Sequence, residues 1–137
     1  MRIIKDIRLK KYDYTADGYY FVTTVCDNRN NYFSGKESQI EYLLKDLGQK
    51  TEGLELDYFI VMPNHAHIIF ILRKSKITLG EIVRRFKAKV SHALNKKVWQ
   101  PNYYEHIIRN EKALEKIREY IINNPQEYIL EFEKFYV

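Results

Sequence analysis

The sequence predicts an α+β fold: an antiparallel sheet with helices on one face, in the split βαβ order of ferredoxin-like and RRM-like sandwiches, plus one further C-terminal helix. Three observations predict it. Runs rich in β-branched and aromatic residues alternate with stretches of helical apolar spacing, in the order strand, helix, strand, strand, helix, strand, helix. The second and third strands are separated only by Pro63-Asn64, a turn signal, so they read as a hairpin. The 137 residues carry no internal repeat, linker or low-complexity segment, so residues 1–137 read as one domain.

Met1 to Asp17 is basic and tyrosine-bearing, and reads as an edge strand or an arm. Tyr19 to Cys26 is a dense run of β-formers and makes the first main strand. Asp27-Asn28-Arg29-Asn30-Asn31 is a turn cluster. Lys36 to Lys50 places Ile40, Leu43, Leu44 and Leu47 on one helical face. Leu54 to Met62 and His65 to Leu72 are the hairpin strands. Thr78-Leu79-Gly80-Glu81 has the form of a capping box. The helix it opens runs to about Leu94, with Leu79, Ile82, Val83, Phe86, Val90, Ala93 and Leu94 as its stripe. Trp99 to Tyr104 is an aromatic loop, and Glu105 to Arg109 a short fourth strand. Asn110 is a plausible N-cap for a helix over Glu111 to Asn123, with Ala113, Leu114, Ile117 and Ile121 inward. Asn124-Pro125 stops that helix, because the residue before proline avoids helical angles. The tail, Glu127 to Val137, reads as a short packing helix.

Composition narrows the function classes. The hydrophobic fraction is 45%, yet no apolar run approaches a membrane span and the N-terminus lacks the apolar core of a signal peptide. Cys26 is the single cysteine, which excludes an internal disulfide and a cysteine-based zinc site. A cytosolic location follows as the expectation. The formal net charge of +5 favours a polyanionic partner.

Two places could carry chemistry. His65 and His67 head an apolar strand two residues apart, so both imidazoles point to one face with Ile69 and Ile71, while Ala66, Ile68 and Phe70 point to the other. Such a pair can offer two nitrogens to one metal ion; equally, each can be a hydrogen-bonded core residue. The second place is the helix after the hairpin, where no acidic residue lies between Glu81 and Glu105. Its Arg84, Arg85, Lys87 and Lys89, followed by Lys96 and Lys97, suit a phosphate backbone held by charge. Trp99 could stack an unpaired base or plug the core. Tyr120 lies at the edge of the last helix's stripe, as a boundary tyrosine would, and Asn124 four residues on suits a helix C-cap.

Several blocks together carry a resemblance: Met62-Pro63-Asn64-His65-Ala66-His67, then Trp99-Gln100, then Tyr103-Tyr104-Glu105-His106-Ile107-Ile108-Arg109, then Tyr120-Ile121-Ile122-Asn123-Asn124-Pro125. In this order and spacing the chain resembles the single-tyrosine, His-hydrophobe-His transposases of the IS200 type, and most of all their REP-associated branch. The resemblance runs from about Tyr19 to Pro125. It implies that His65 and His67 bind a divalent metal, Mg²⁺ or Mn²⁺, and that Tyr120, carried on the C-terminal helix, is the nucleophile. It implies that Asn124 completes the metal site; IS200-type enzymes typically have glutamine there, so this side chain is shorter by one methylene, and Asn123 is the neighbouring alternative. No residue announces itself as the base, with Glu105 and His106 the nearest to the motif blocks.

The implied activity is cleavage and rejoining of single-stranded DNA through a 5′-phosphotyrosine at hairpin-associated sites. The DNA contacts expected with it are Arg84, Arg85, Lys87, Lys89, Lys96, Lys97, Trp99 and Arg109. A homodimer is an open expectation, as relatives of this type work as dimers or as monomers; the expected location is the cytoplasm, on the nucleoid when bound. Two other readings stay open: a non-catalytic binder of single-stranded DNA or RNA hairpins, and a metal-dependent nuclease that hydrolyses without a covalent link.

Overall fold

The computed structural model describes residues 12–123. Most of the expected N-terminal arm, Asn124-Pro125 and the expected tail helix lie outside the described residues. The elements follow the expected order: β1 (Gly18–Val25), α1 (Glu37–Lys50), β2 (Leu54–Met62), β3 (His65–Leu72), α2 (Leu79–Leu94), β4 (Tyr104–Ile108) and α3 (Glu111–Asn123). One four-stranded sheet runs in the order β2-β3-β1-β4, with every neighbour antiparallel.

Boundaries shift where local partners decide them. Cys26 leaves β1 and makes an isolated bridge to Trp99. β4 begins at Tyr104, which registers against Thr23, and ends before the exposed Arg109. Asn110 caps α3 as expected, its Oδ1 accepting from the Ala113 N–H at 2.8 Å. Thr78 caps α2 through Glu81 N–H at 3.1 Å. Glu81 does not close the box: its carboxylate binds Arg84 and Arg85 instead, and the Arg84 bond foremost brings its pKa down to about 2.

The alternation of β1 and β3 sorts the core into two layers. Tyr20, Val22, Ala66, Ile68, Phe70 and Leu72 face one way and pack with Ile40 and Leu44 of α1 and with Ile82, Phe86 and Val90 of α2. Phe21, Ile69 and Ile108 face the other way and pack with Leu114, Ile117 and Ile121 of α3. Helices therefore cover both faces, and it is α3 that lies over the face to which His65 and His67 belong. β4 starts at the histidine end of the sheet and runs away from it, so α3 runs back toward that end. Among the described residues, no helix is long and apolar enough to cross a membrane.

Candidate metal and nucleophile site

The two imidazoles sit where β3 begins, opposite the end of β1: His65 registers with Val25 and His67 with Thr23. Both are buried, at 1% and 0% exposure. Their ring centroids are 4.7 Å apart at an interplanar angle of 69°. Phe21 of β1, on the same sheet face, stacks on His67 with ring centroids 5.6 Å apart.

Burying two imidazoles requires hydrogen-bond partners. His67 Nδ1 meets the Thr23 hydroxyl at 2.8 Å. His65 Nδ1 meets Asn64 Oδ1 at 2.6 Å. The Asn64 amide nitrogen donates to the Arg29 carbonyl at 3.4 Å, so the oxygen is the end turned to His65. His65 is thus placed to donate from Nδ1, with Nε2 on the side of the ring away from Asn64. An oxygen partner on one ring nitrogen, orienting the other, is how metal-binding histidines are usually held. The donor set and its outer partners thus fit a divalent ion. Among the described residues no cluster of three His, Cys, Asp or Glu side chains completes such a site. Asn124, the expected third ligand, lies outside the described residues; Asn123 ends α3 and is exposed.

Tyr120 is half-buried on α3 and packs against the Phe21–Ile69–Ile117 cluster, so it shares a sheet face with the histidines. With Lys116, Glu119 and Asn123 it lines an open depression of about 250 Å³. His106 registers with Phe21 and lies on this same face. Burial first, and the Arg109 charge second, hold its pKa below the ordinary histidine value. Glu105 is corrected as a candidate base. It faces the α1/α2 layer, where its Oε1 accepts a hydrogen bond from the Tyr14 hydroxyl at 3.0 Å. Cys26 is buried, which pushes its thiol up to about 12 and keeps it out of the chemistry.

The expected DNA-binding residues do not form one surface. Trp99 is a core residue, 8% exposed, with its ring against Phe33 and Phe86 and its Nε1–H donated to the Lys87 carbonyl at 2.9 Å. It therefore has no face to offer a base. Lys87 is also removed from the set, because its ammonium is spent on the carbonyls of Gln100 and Asn102. Lys89 pairs with Asp46 of α1 at 3.4 Å. Arg84 and Arg85 project from the outer side of α2, across the sheet from the histidines. Arg109 follows β4 at the end of the sheet opposite the histidines. Lys96 and Lys97 stand apart from these. Their segment lies beside the histidine end of β1, since Asp27 N–H binds the Val98 carbonyl at 2.7 Å and Gln100 N–H the Val25 carbonyl at 3.0 Å. Lys96 sits 4.6 Å above the Tyr32 ring. The sequence reading missed Thr23 and Asn64. Only the β1–β3 register separates Thr23 from its neighbour Thr24, and Asn64 had read as a turn residue alone.

The geometry can be set beside known proteins. A family model described as "Transposase IS200 like" matches residues 14–124. An uncharacterized protein of Haemophilus influenzae is 38% identical, over 88% of this chain and 87% of its own length. A REP-associated tyrosine transposase of Escherichia coli is 28% identical, over 82% of this chain and 68% of its own. The solved structure of a REP-associated tyrosine transposase bound to a REP hairpin superposes with a TM-score of 0.75 at 24% identity, over 88% of this chain and 74% of that one. The α+β architecture is thus that of a transposase neighbour. With a family model that spans most of its length, the chain belongs to the IS200-like transposases.

Proposed function

We propose that this transposase cleaves and rejoins single-stranded DNA, with His65 and His67 holding a divalent metal and Tyr120 as the nucleophile. The observation that carries the reading is the pair of buried imidazoles, each gripped at Nδ1, on the same sheet face as a half-buried tyrosine. The family match and the REP-associated relatives support it. That the structural neighbour is bound to a REP hairpin supports hairpin-flanked DNA as the substrate.

Each residue has a task in this reading. Thr23 and Asn64 fix the ring orientations through Nδ1, so that each imidazole would offer Nε2 to a metal. His65 and His67 would hold Mg²⁺ or Mn²⁺, which would supply electrostatic stabilisation of the phosphate as charge develops. The Tyr120 oxygen attacks the scissile phosphorus; the P–O3′ bond breaks, the 3′-oxygen leaves and takes up a proton, and a 5′-phosphotyrosine remains. A later 3′-hydroxyl reverses the step, so strands rejoin without ATP. A phenol ionises near pH 10, so Tyr120 must lose its proton to a base or to the developing alkoxide. In this reading the base is His106, which lies on this face and whose pKa burial and the Arg109 charge hold below the ordinary histidine value. Lys96 and Lys97 meet the backbone of the strand entering at the histidines. In this reading Tyr120 serves the histidines of its own chain, in keeping with the packing of α3 on its own sheet.

The test is a covalent-adduct assay with labelled single-stranded hairpin DNA and Mn²⁺, run on denaturing gels with and without chelator. The expected result is a metal-dependent shifted band that disappears in Tyr120→Phe and in His65→Ala. Cleavage without a band would mean a hydrolytic nuclease, and binding without cleavage a non-catalytic hairpin binder; either overturns the reading. Mixing Tyr120→Phe with His65→Ala should restore no adduct, and restoration would show that the tyrosine acts across a dimer.

A further inference from the structure

β2 carries an irregularity in its pairing with β3. Leu56 registers with Phe70 and Tyr58 with Ile69, so Asp57 is an extra residue between two consecutive partners. Bulges of this kind re-aim side chains. Leu56 packs in the α1/α2 layer and Tyr58 in the α3 layer. Asp57 joins Tyr58 on the α3 side, where its carboxylate accepts a fork of two hydrogen bonds from Arg118. The Nε–Oδ2 arm is 2.8 Å long and the second runs from Nη2 to Oδ1. The Asp57 side chain is 12% exposed, so the ion pair is shielded on the carboxylate side. The bond to Asp57 raises the Arg118 pKa above its ordinary value.

Arg118 precedes the tyrosine by two residues. At about 100° per residue the two side chains stand some 200° apart, on opposite flanks of the Leu114–Ile117–Ile121 stripe. That stripe has three buried residues, a narrow keel on which a helix can roll. The Asn110 cap fixes the start of α3, and the fork grips it seven residues after Glu111, roughly 10 Å further along. A planar guanidinium fork resists rotation as a point charge does not.

We propose that Asp57 and Arg118 are positioning residues: the bulge-borne carboxylate latches α3 at one rotation over the histidine face and so sets where Tyr120 stands. The inference rests on Tyr120 being the nucleophile, but its structural half can be read without catalysis.

The experiment compares Asp57→Asn, Arg118→Ala, Arg118→Lys and the exchange Asp57→Arg with Arg118→Asp. Three quantities are read on the full chain: amide hydrogen exchange in α3, affinity for hairpin DNA, and single-turnover adduct formation at saturating DNA. An ångström of misplacement costs up to about a hundredfold in such reactions. The expected result is faster α3 exchange and an adduct rate lowered ten- to a hundredfold in Asp57→Asn and Arg118→Ala, on the order of that misplacement cost. DNA affinity should stay within about twofold. Arg118→Lys, which keeps the charge and loses the fork, should fall with the alanine variant, and the exchanged pair should recover part of the rate. Unchanged adduct rates, or a rate lost only in step with DNA affinity and global unfolding, would overturn the positioning role. If the wild type forms no adduct on any substrate, the reading of Tyr120 fails instead. Then α3 exchange alone decides the latch, and unchanged exchange in Arg118→Ala would overturn it.

Discussion

The two faces of the sheet are built from the same strands but carry different loads. Under α1 and α2 the strands present Tyr20, Val22, Ile68, Phe70 and Leu72 to Ile40, Leu44, Phe86 and Val90, all at 0% exposure. Under α3 the apolar cluster is smaller, and toward the end of β1 it gives way to Thr23, His65 and His67, equally buried. Apolar burial stabilises in proportion to area, whereas a buried imidazole is tolerated only with its hydrogen bonds made. The first face supplies the stability that the second one uses.

The sharpest way to break this division is to exchange the effects. Phe86→Ala, in the first layer and against Trp99, should cost about 3–5 kcal/mol in urea unfolding, as large-to-small core changes do. Tyr120→Phe, on the second face, should stay within about 0.5 kcal/mol of the wild type while losing the DNA adduct. A Tyr120→Phe protein destabilised as much as Phe86→Ala would make Tyr120 a core residue and erase the distinction.

A smaller effect tests whether the buried polar groups serve a metal. Thr23→Val keeps the volume and removes the hydroxyl that holds His67 Nδ1. Outer partners of metal-binding histidines typically matter by about 10–100-fold in affinity, and that loss is expected here in calorimetric titration with Mn²⁺. Asn64→Ala should act alike through His65. Tight, unchanged Mn²⁺ binding in both variants would place the metal elsewhere.

The division also explains what the sequence could tell. The strands, the hairpin at Pro63-Asn64 and the placing of both histidines on one face follow from a period of two, which is local and strict. The Thr78 and Asn110 caps follow from local chemistry as well. Trp99 could not be assigned in the same way. An aromatic in a loop stacks or plugs according to what lies across from it, and only the fold brings Phe33 and Phe86 there. Lys87 read as a free cation because its loop carbonyls lie 13 and 15 residues on. The Asp57–Arg118 pair spans 61 residues and depends on a bulge that alternation alone does not announce. The basic run on α2 read as one surface because a helix stripe carries no label for which face of the sheet it covers.

Lys96 and Lys97 lie at the histidine end, and Arg84 and Arg85 on the outer side of α2, tied to Glu81. Each phosphate contact on a single strand contributes about 0.7 to the slope of log affinity against log salt. Replacing both lysines by alanine should lower the slope for hairpin DNA by about 1.4, on that value. Replacing both arginines should lower it by less. The reverse order would move the DNA path to the outer side of α2 and away from the imidazoles.

The smallest effect marks where the polar face ends. His106 belongs to the α3 side, and burial, with Arg109, holds its folded pKa below the ordinary 6.5. Between those two values the unfolded chain binds more protons than the folded one, so its contribution raises stability as pH rises. The contribution is fully present above about pH 6.5 and is lost as pH falls through the folded pKa. His106→Gln removes this dependence. Measured by urea unfolding with chelator present, the variant should gain on the wild type as the pH is lowered from 7.5 to 5. The same chelator keeps metal linkage at His65 and His67 out of the comparison. A gap between variant and wild type that does not change with pH would show that His106 takes up protons as readily folded as unfolded. It would then stand in water-like surroundings rather than on the enclosed face, and its place as the proton acceptor for Tyr120 would lapse.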